Sequence, residues 1–235
     1  MTINKDLMSL VKAIVSGDSA RVREIVKASP YLVQQPAKIG ASRQAASEYF
    51  FPEIKHYMYG GDTALHMAAA AFQSEIGQIL IDHGASCAAR NRRGAQPLHY
   101  ASDSNTRNTT AQVAMIECLI RSGANPNAAD ISGVAPIHRA VRTRGAGAVQ
   151  ALLLGGAKID LKNKSGSTPL HLAVQNTGKG GSGSPEAIEE QRQIILLLLR
   201  NGASTRHKDG NGRTVNQAVK VSWIRELLEH STRLI

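Results

Sequence analysis

Four histidines stand at near-regular intervals in this chain: His66, His99, His138 and His171, separated by 33, 39 and 33 residues. Imidazole is a common zinc ligand, so a row of them is the first chemistry to weigh. A four-coordinate site needs convergent ligands, whereas one histidine per recurring unit makes a ladder. The spacing therefore predicts structural histidines and no metal. The run GKGGSGS at 178–184 lacks the GxxxxGKS/T order and follows no strand pattern, so it reads as a flexible insertion instead of a phosphate cradle. KDGNGR at 208–213 alternates Asp209 and Asn211 as a calcium loop would, but the closing glutamate is absent, which leaves a turn. Glu48, Glu53, His56 and Asp62 could supply acid–base pairs, yet no spacing brings two together, and neither HExxH nor GxSxG occurs. We expect no catalytic residue, no cofactor and no enzymatic activity.

The histidines belong to a repeat. DTALHMAAA from 62, AQPLHYASD from 95, VAPIHRAVR from 134 and STPLHLAVQ from 167 align, and RTVNQAVK from 213 is a degenerate fifth copy with Gln217 in the histidine's place. Gly84, Gly123, Gly156 and Gly202, each followed by alanine, fall 15 residues before His99, His138, His171 and Gln217. A further glycine, at 61, 94, 133, 166 or 212, falls five before the same place. All length variation thus lies between the histidine and the next Gly-Ala, where the second unit has gained six residues and the fourth thirteen.

Each unit carries the signals of two helices. Thr168-Pro169 suits a helix start, since threonine caps free amides and proline is tolerated in the first turn. Ala135 and Gln96 replace that threonine in the third and second units, so those two starts should be looser. IGQILIDHGA, MIECLIRSGA, VQALLLGGA and QIILLLLRNGA are apolar on most faces, as a helix packed between neighbours must be, and their terminal glycine suits a left-handed C′ position. Ser184-Pro185-Glu186 reads as a cap, a first-turn proline and a dipole-matched acid. No unit can bury its own face, so neighbours must stack and the ends must differ from the middle. The amphipathic DLMSLVKAIVSGDSARVREIVKA and VSWIRELLEHS suit the two ends.

These motifs resemble the ankyrin-repeat family over residues 62–235, and more weakly upstream. The resemblance implies an all-α solenoid of stacked helix pairs with β-hairpin fingers, read as one domain over 1–235. It divides into a capping helix pair (5–34), an aromatic-rich insertion (35–61), repeats at 62–94, 95–133, 134–166 and 167–212, and a capping repeat (213–235). It also implies that each imidazole bonds backbone near its own finger, and that finger tips, the residue before Thr-Pro and the end of the first helix are free to meet a partner. Carried onto this chain, the partner-binding positions are Tyr57, Tyr59, Asp62, Arg92, Arg93, Ile131, Val134, Arg142, Lys164 and Arg213.

Five of the nine aromatic residues lie between Tyr49 and Tyr59. They are either a small satellite core that holds the insertion or an exposed anchor for a partner. The net charge of +10 sits mainly in the C-terminal part, where residues 142–235 carry 14 basic and 7 acidic groups. Two cysteines, Cys87 and Cys118, make no disulfide framework and suit reduced thiols. No apolar run approaches the ~18 residues of a spanning helix. We expect a cytoplasmic, monomeric, non-catalytic module that binds another protein with an acidic surface. Binding of nucleic acid or another polyanion through the basic fingers is the alternative, disfavoured because the basic fingers are interrupted at NAADIS.

Overall fold

A computed structural model of the chain describes residues 5–42, 46–103, 108–175 and 183–231. Twelve helices occur among them: α1 (Lys5–Val15), α2 (Ser19–Ala28), α3 (Ala64–Ala70), α4 (Ser74–Asp82), α5 (Pro97–Ala101), α6 (Thr109–Arg121), α7 (Pro136–Arg142), α8 (Ala146–Leu154), α9 (Pro169–Ala173), α10 (Pro185–Arg200), α11 (Val215–Ala218) and α12 (Ser222–Ser231). The odd-numbered helices stack on one another as an inner row and the even-numbered ones as an outer row. Most of the glycine-rich 178–184 run and the inserted turn at 104–107 lie outside the described residues.

Local chemistry explains the boundaries. Asp18, Asn108 and Ser184 accept the amides of Arg21, Ala111 and Ala187, capping α2, α6 and α10, and Pro169 and Pro185 sit in first turns. Outer helices α4, α6, α8 and α10 end two residues before Gly84, Gly123, Gly156 and Gly202, which take φ of +89 to +93°. A β-carbon would cost about 1–2 kcal/mol at such a position. Inner helices α3 and α5 are buried along their whole length and lack a polar face, and α3 is rich in alanine.

Between each outer helix and the next inner helix the chain makes a finger. Two backbone bonds close each finger: Asn91 N to Ala95 O, Asp130 N to Val134 O, Asn163 N to Ser167 O and Asp209 N to Arg213 O at 2.9–3.0 Å, and Gly94, Gly133, Gly166 and Gly212 N back to the carbonyls of Asn91, Asp130, Asn163 and Asp209 at 2.8–3.0 Å. The fingers are too short for a strand ladder, and a lone bridge joins Lys208 and Thr214. Neighbouring fingers are joined by Arg92 N to Gly60 O, Ile131 N to Arg93 O, Lys164 N to Ser132 O and Gly210 N to Ser165 O, at 2.8–3.0 Å.

Among the described residues the sole two-stranded sheet is in the insertion: β1 (Phe50–Phe51) pairs antiparallel with β2 (His56–Tyr57). Tyr49, Phe51, Ile54 and Met58 are buried and continuous with the core that runs from Leu7 to Leu228. The insertion is therefore not held by a separate satellite core. Ala37 N bonds Asp62 O at 2.7 Å, Gly61 N bonds Ala37 O at 2.7 Å and Ala41 N bonds Met58 O at 2.8 Å, so its backbone is tied to the first repeat.

Candidate functional site

The four histidines do form a ladder. Each Nδ1 accepts the amide of the residue three before it, from Thr63 (3.1 Å), Gln96 (3.1 Å), Ala135 (3.1 Å) and Thr168 (3.3 Å). That assigns the proton to Nε2, which donates onward to Ala95, Val134, Leu161 and Arg213 carbonyls at 2.9–3.2 Å. Three of those four carbonyls lie just ahead of the next inner helix. The imidazoles thus rivet successive units together instead of bonding only near their own finger. The Thr63 and Thr168 hydroxyls also meet their histidines, at 3.0 and 2.9 Å. Ala135 has no such group, and Gln96 turns its amide to Ala88 O (3.3 Å), leaving a buried, unpartnered Oε1. The loss at these two starts is confined to the side-chain bond, because the imidazole still holds the amide.

Beside this ladder lies a polar knot that repeat spacing did not reveal. Asp62 is 1% exposed, and its carboxylate accepts bonds from Tyr59 N (2.6 Å), Asn91 Nδ2 (2.9 Å) and the Tyr100 hydroxyl (2.8 and 2.9 Å). Asn91 Oδ1 in turn accepts the amides of Arg93 and Ala95. The insertion, inner helix α5 and the next finger thereby converge on one carboxylate. Burial, and the neighbouring Asp62 charge, push the Tyr100 hydroxyl well above its ordinary range, so it stays protonated and donating.

From this knot a chain of rings runs outward. The His56 ring lies 4.6 Å from that of Tyr100 and 6.4 Å from Tyr59, Tyr59 lies 6.3 Å from Tyr57, and Tyr57 lies 4.7 Å from Phe50. The Arg93 guanidinium sits 4.6 Å above the Tyr59 ring. Arg139 lies 5.9 Å above Tyr100, pairs with Asp103 at 2.8 Å, and reaches Asp130 at 3.6 Å. Burial pushes His56 down to about 4 against the opposing pull of Asp62, so its imidazole is neutral near pH 7.

The expected partner residues fall into three groups. Asp62 is corrected: it is buried and fully engaged, and has no face to offer. Tyr57, Tyr59 and Val134 are half-buried, and the Val134 carbonyl is taken by His99. Arg92, Arg93, Ile131, Arg142, Lys164 and Arg213 are exposed, although Arg92 donates to Ala41 O (2.9 Å) and Arg213 pairs with Asp209 (2.9 Å). Phe50 is 38% exposed and Phe51 only 8%, so the Phe-Phe pair splits between solvent and core. Tyr100 and Arg139 escaped notice. The signal was present, since Met67, Tyr100, Arg139 and Leu172 each follow the repeat histidine and form one column along the inner row.

Among the described residues no three His, Cys, Asp or Glu side chains are grouped to hold a metal ion, and no helix is long and apolar enough to cross a membrane. A family model of ankyrin repeats, in three copies, matches the chain over residues 10–130 and 108–209.

Proposed function

The chain belongs to the ankyrin-repeat family, whose repeats generally serve as protein–protein interaction modules, and from that premise we propose that it is a non-catalytic module that binds another protein on the side formed by the fingers and inner helices. The observation that carries this reading is the ring chain Phe50, Tyr57, Tyr59, His56 with Arg93 stacked on Tyr59. Tyrosine and arginine are enriched among the few residues that carry most interface binding energy, through rigid area and forked donors. Here they rise from the buried Asp62 knot, so they lose little freedom on association.

Affinity capture from nuclease-treated lysate tests this with the wild type, with Tyr57→Ala/Tyr59→Ala and with Arg93→Glu. One stoichiometric protein, retained by the wild type at moderate salt and lost with either variant, is the expected result. Retention of nucleic acid alone, displaced by salt and indifferent to the tyrosines, sinks the reading and makes the basic fingers the binding element.

A further inference from the structure

The positive charge of this chain is sorted by layer. The outer helices from α2 to α12 hold nine acidic and seven basic residues. The four segments that join outer to inner helices between 83 and 214 hold nine basic and three acidic residues. In the C-terminal half Arg139 pairs with Asp103 and Asp130 and Arg213 with Asp209, while Asp160 Oδ1 lies 3.2 Å from His207 Nδ1 with no hydrogen bond between them. Arg142, Lys162, Lys164, Arg206 and Lys208 are exposed and have no carboxylate partner among the described residues.

The two ends of the inner face also differ in access. His56 covers Tyr100, which is 2% exposed. At the matching positions further on, the Arg139 side chain is 14% exposed and Leu172 is half-buried. Ile131, on the finger beside them, is 60% exposed. Arg142 and Leu172 border one small cleft with Gln175. α7 has seven residues and so is about 10 Å long, which sets the distance between its finger end and Arg142. Side chains on opposite sides of one extended segment can reach both rims.

We propose that an acidic protein segment docks along this C-terminal half of the inner face, its carboxylates meeting Lys162 and Lys164 on one rim and Arg142 on the other, with an apolar side chain against Ile131 or Leu172. The proposal rests on the protein-binding reading and assigns the aromatic end to other contacts. A protein segment is favoured over single-stranded nucleic acid because no aromatic residue lies between Tyr100 and Trp223, so the basic half has no stacking platform for bases.

Fluorescence anisotropy provides the test, with a labelled peptide of glutamates flanking one leucine, its serine-for-glutamate counterpart, and an oligothymidylate. The glutamate peptide should bind the wild type and the serine peptide should not. Lys162→Glu/Lys164→Glu and Arg142→Glu should each weaken binding by roughly tenfold or more, while Lys27→Glu on α2, on the outer row, should leave it unchanged. Unaltered urea midpoints in these exposed variants separate binding from folding. Equal binding by the charge-reversed variants, no binding of the glutamate peptide, or tighter binding of oligothymidylate overturns the proposal. If it falls while capture from lysate still depends on Tyr57 and Tyr59, protein binding stands and only this docking site is lost.

Discussion

Asp62 and Tyr100, 38 residues apart, are joined by a buried hydrogen bond in which the phenol donates to the carboxylate at 2.8 Å. Removing a buried partner leaves the other polar group unsatisfied, at about 1–3 kcal/mol. Tyr100→Phe should therefore lower unfolding stability by about that amount in urea, and Asp62→Ala by more, since three donors lose one acceptor. Asp62→Ala should also speed tryptic cleavage at exposed Lys55, because Tyr59 N loses the acceptor that pins the insertion. Wild-type stability in Tyr100→Phe would show that the bond contributes nothing.

Ala135→Thr should stabilise the protein by about 1 kcal/mol, the usual worth of a helix N-cap. Ala135 has φ −92° and ψ 164°, against −101° and 170° for Thr63 and −81° and 168° for Thr168, so the hydroxyl would fall where it meets His138. A denaturation midpoint at or below wild type would show that buried Ala135 has no room for it.

Stability should fall as pH drops from about 6.5 towards 4. Burial pushes His56 and His99 down to about 4 and lowers His66 and His138. Their folded values lie below the unfolded 6.5, so the unfolded chain binds more protons in between. Their contribution is complete above 6.5 and is lost as pH falls, at up to about 1.4 kcal/mol per pH unit for each imidazole. Burial raises the Asp103 carboxyl, whose contribution is present below 3.8 and is lost as pH rises through its folded value, a term of opposite sign. Urea midpoints measured between pH 7.5 and 4.5 check this, and a flat profile would mean that the imidazoles are not held neutral.

Two glycines of positive φ should differ in their response to alanine. At Gly123, φ +89°, a β-carbon meets nothing within 4 Å, so Gly123→Ala should cost only its backbone strain, about 1–2 kcal/mol. At Gly166, φ +70°, the same carbon would lie 2.5 Å from Gly210 N on the next finger. Gly166→Ala should cost clearly more and push the 163–167 and 209–213 fingers apart, weakening amide protection at Gly210, which bonds Ser165 O. Equal urea midpoints for the two variants would contradict this.

The helix pairs, their ends and the histidine ladder could be read along the chain because each rests on short-range rules. A left-handed glycine ends a helix where it stands, and a residue three before a histidine offers its amide whatever lies elsewhere. The unit-to-unit sense of the ladder was not legible, because Nε2 finds its carbonyl 23 to 42 residues away. Nor was the fate of Asp62, which stands where a repeat alone would leave a free position. The insertion brings Tyr59 N onto Asp62 and His56 onto Tyr100, and so turns an exposed acid into a buried acceptor. Which aromatics point out was settled the same way, since the pairing of β1 with β2 puts Phe51 into the core and Phe50 towards solvent. Spacing along the chain reports periodic, local geometry. Burial of a single polar side chain depends on which distant segment folds over it, and only the packed tertiary structure decides that.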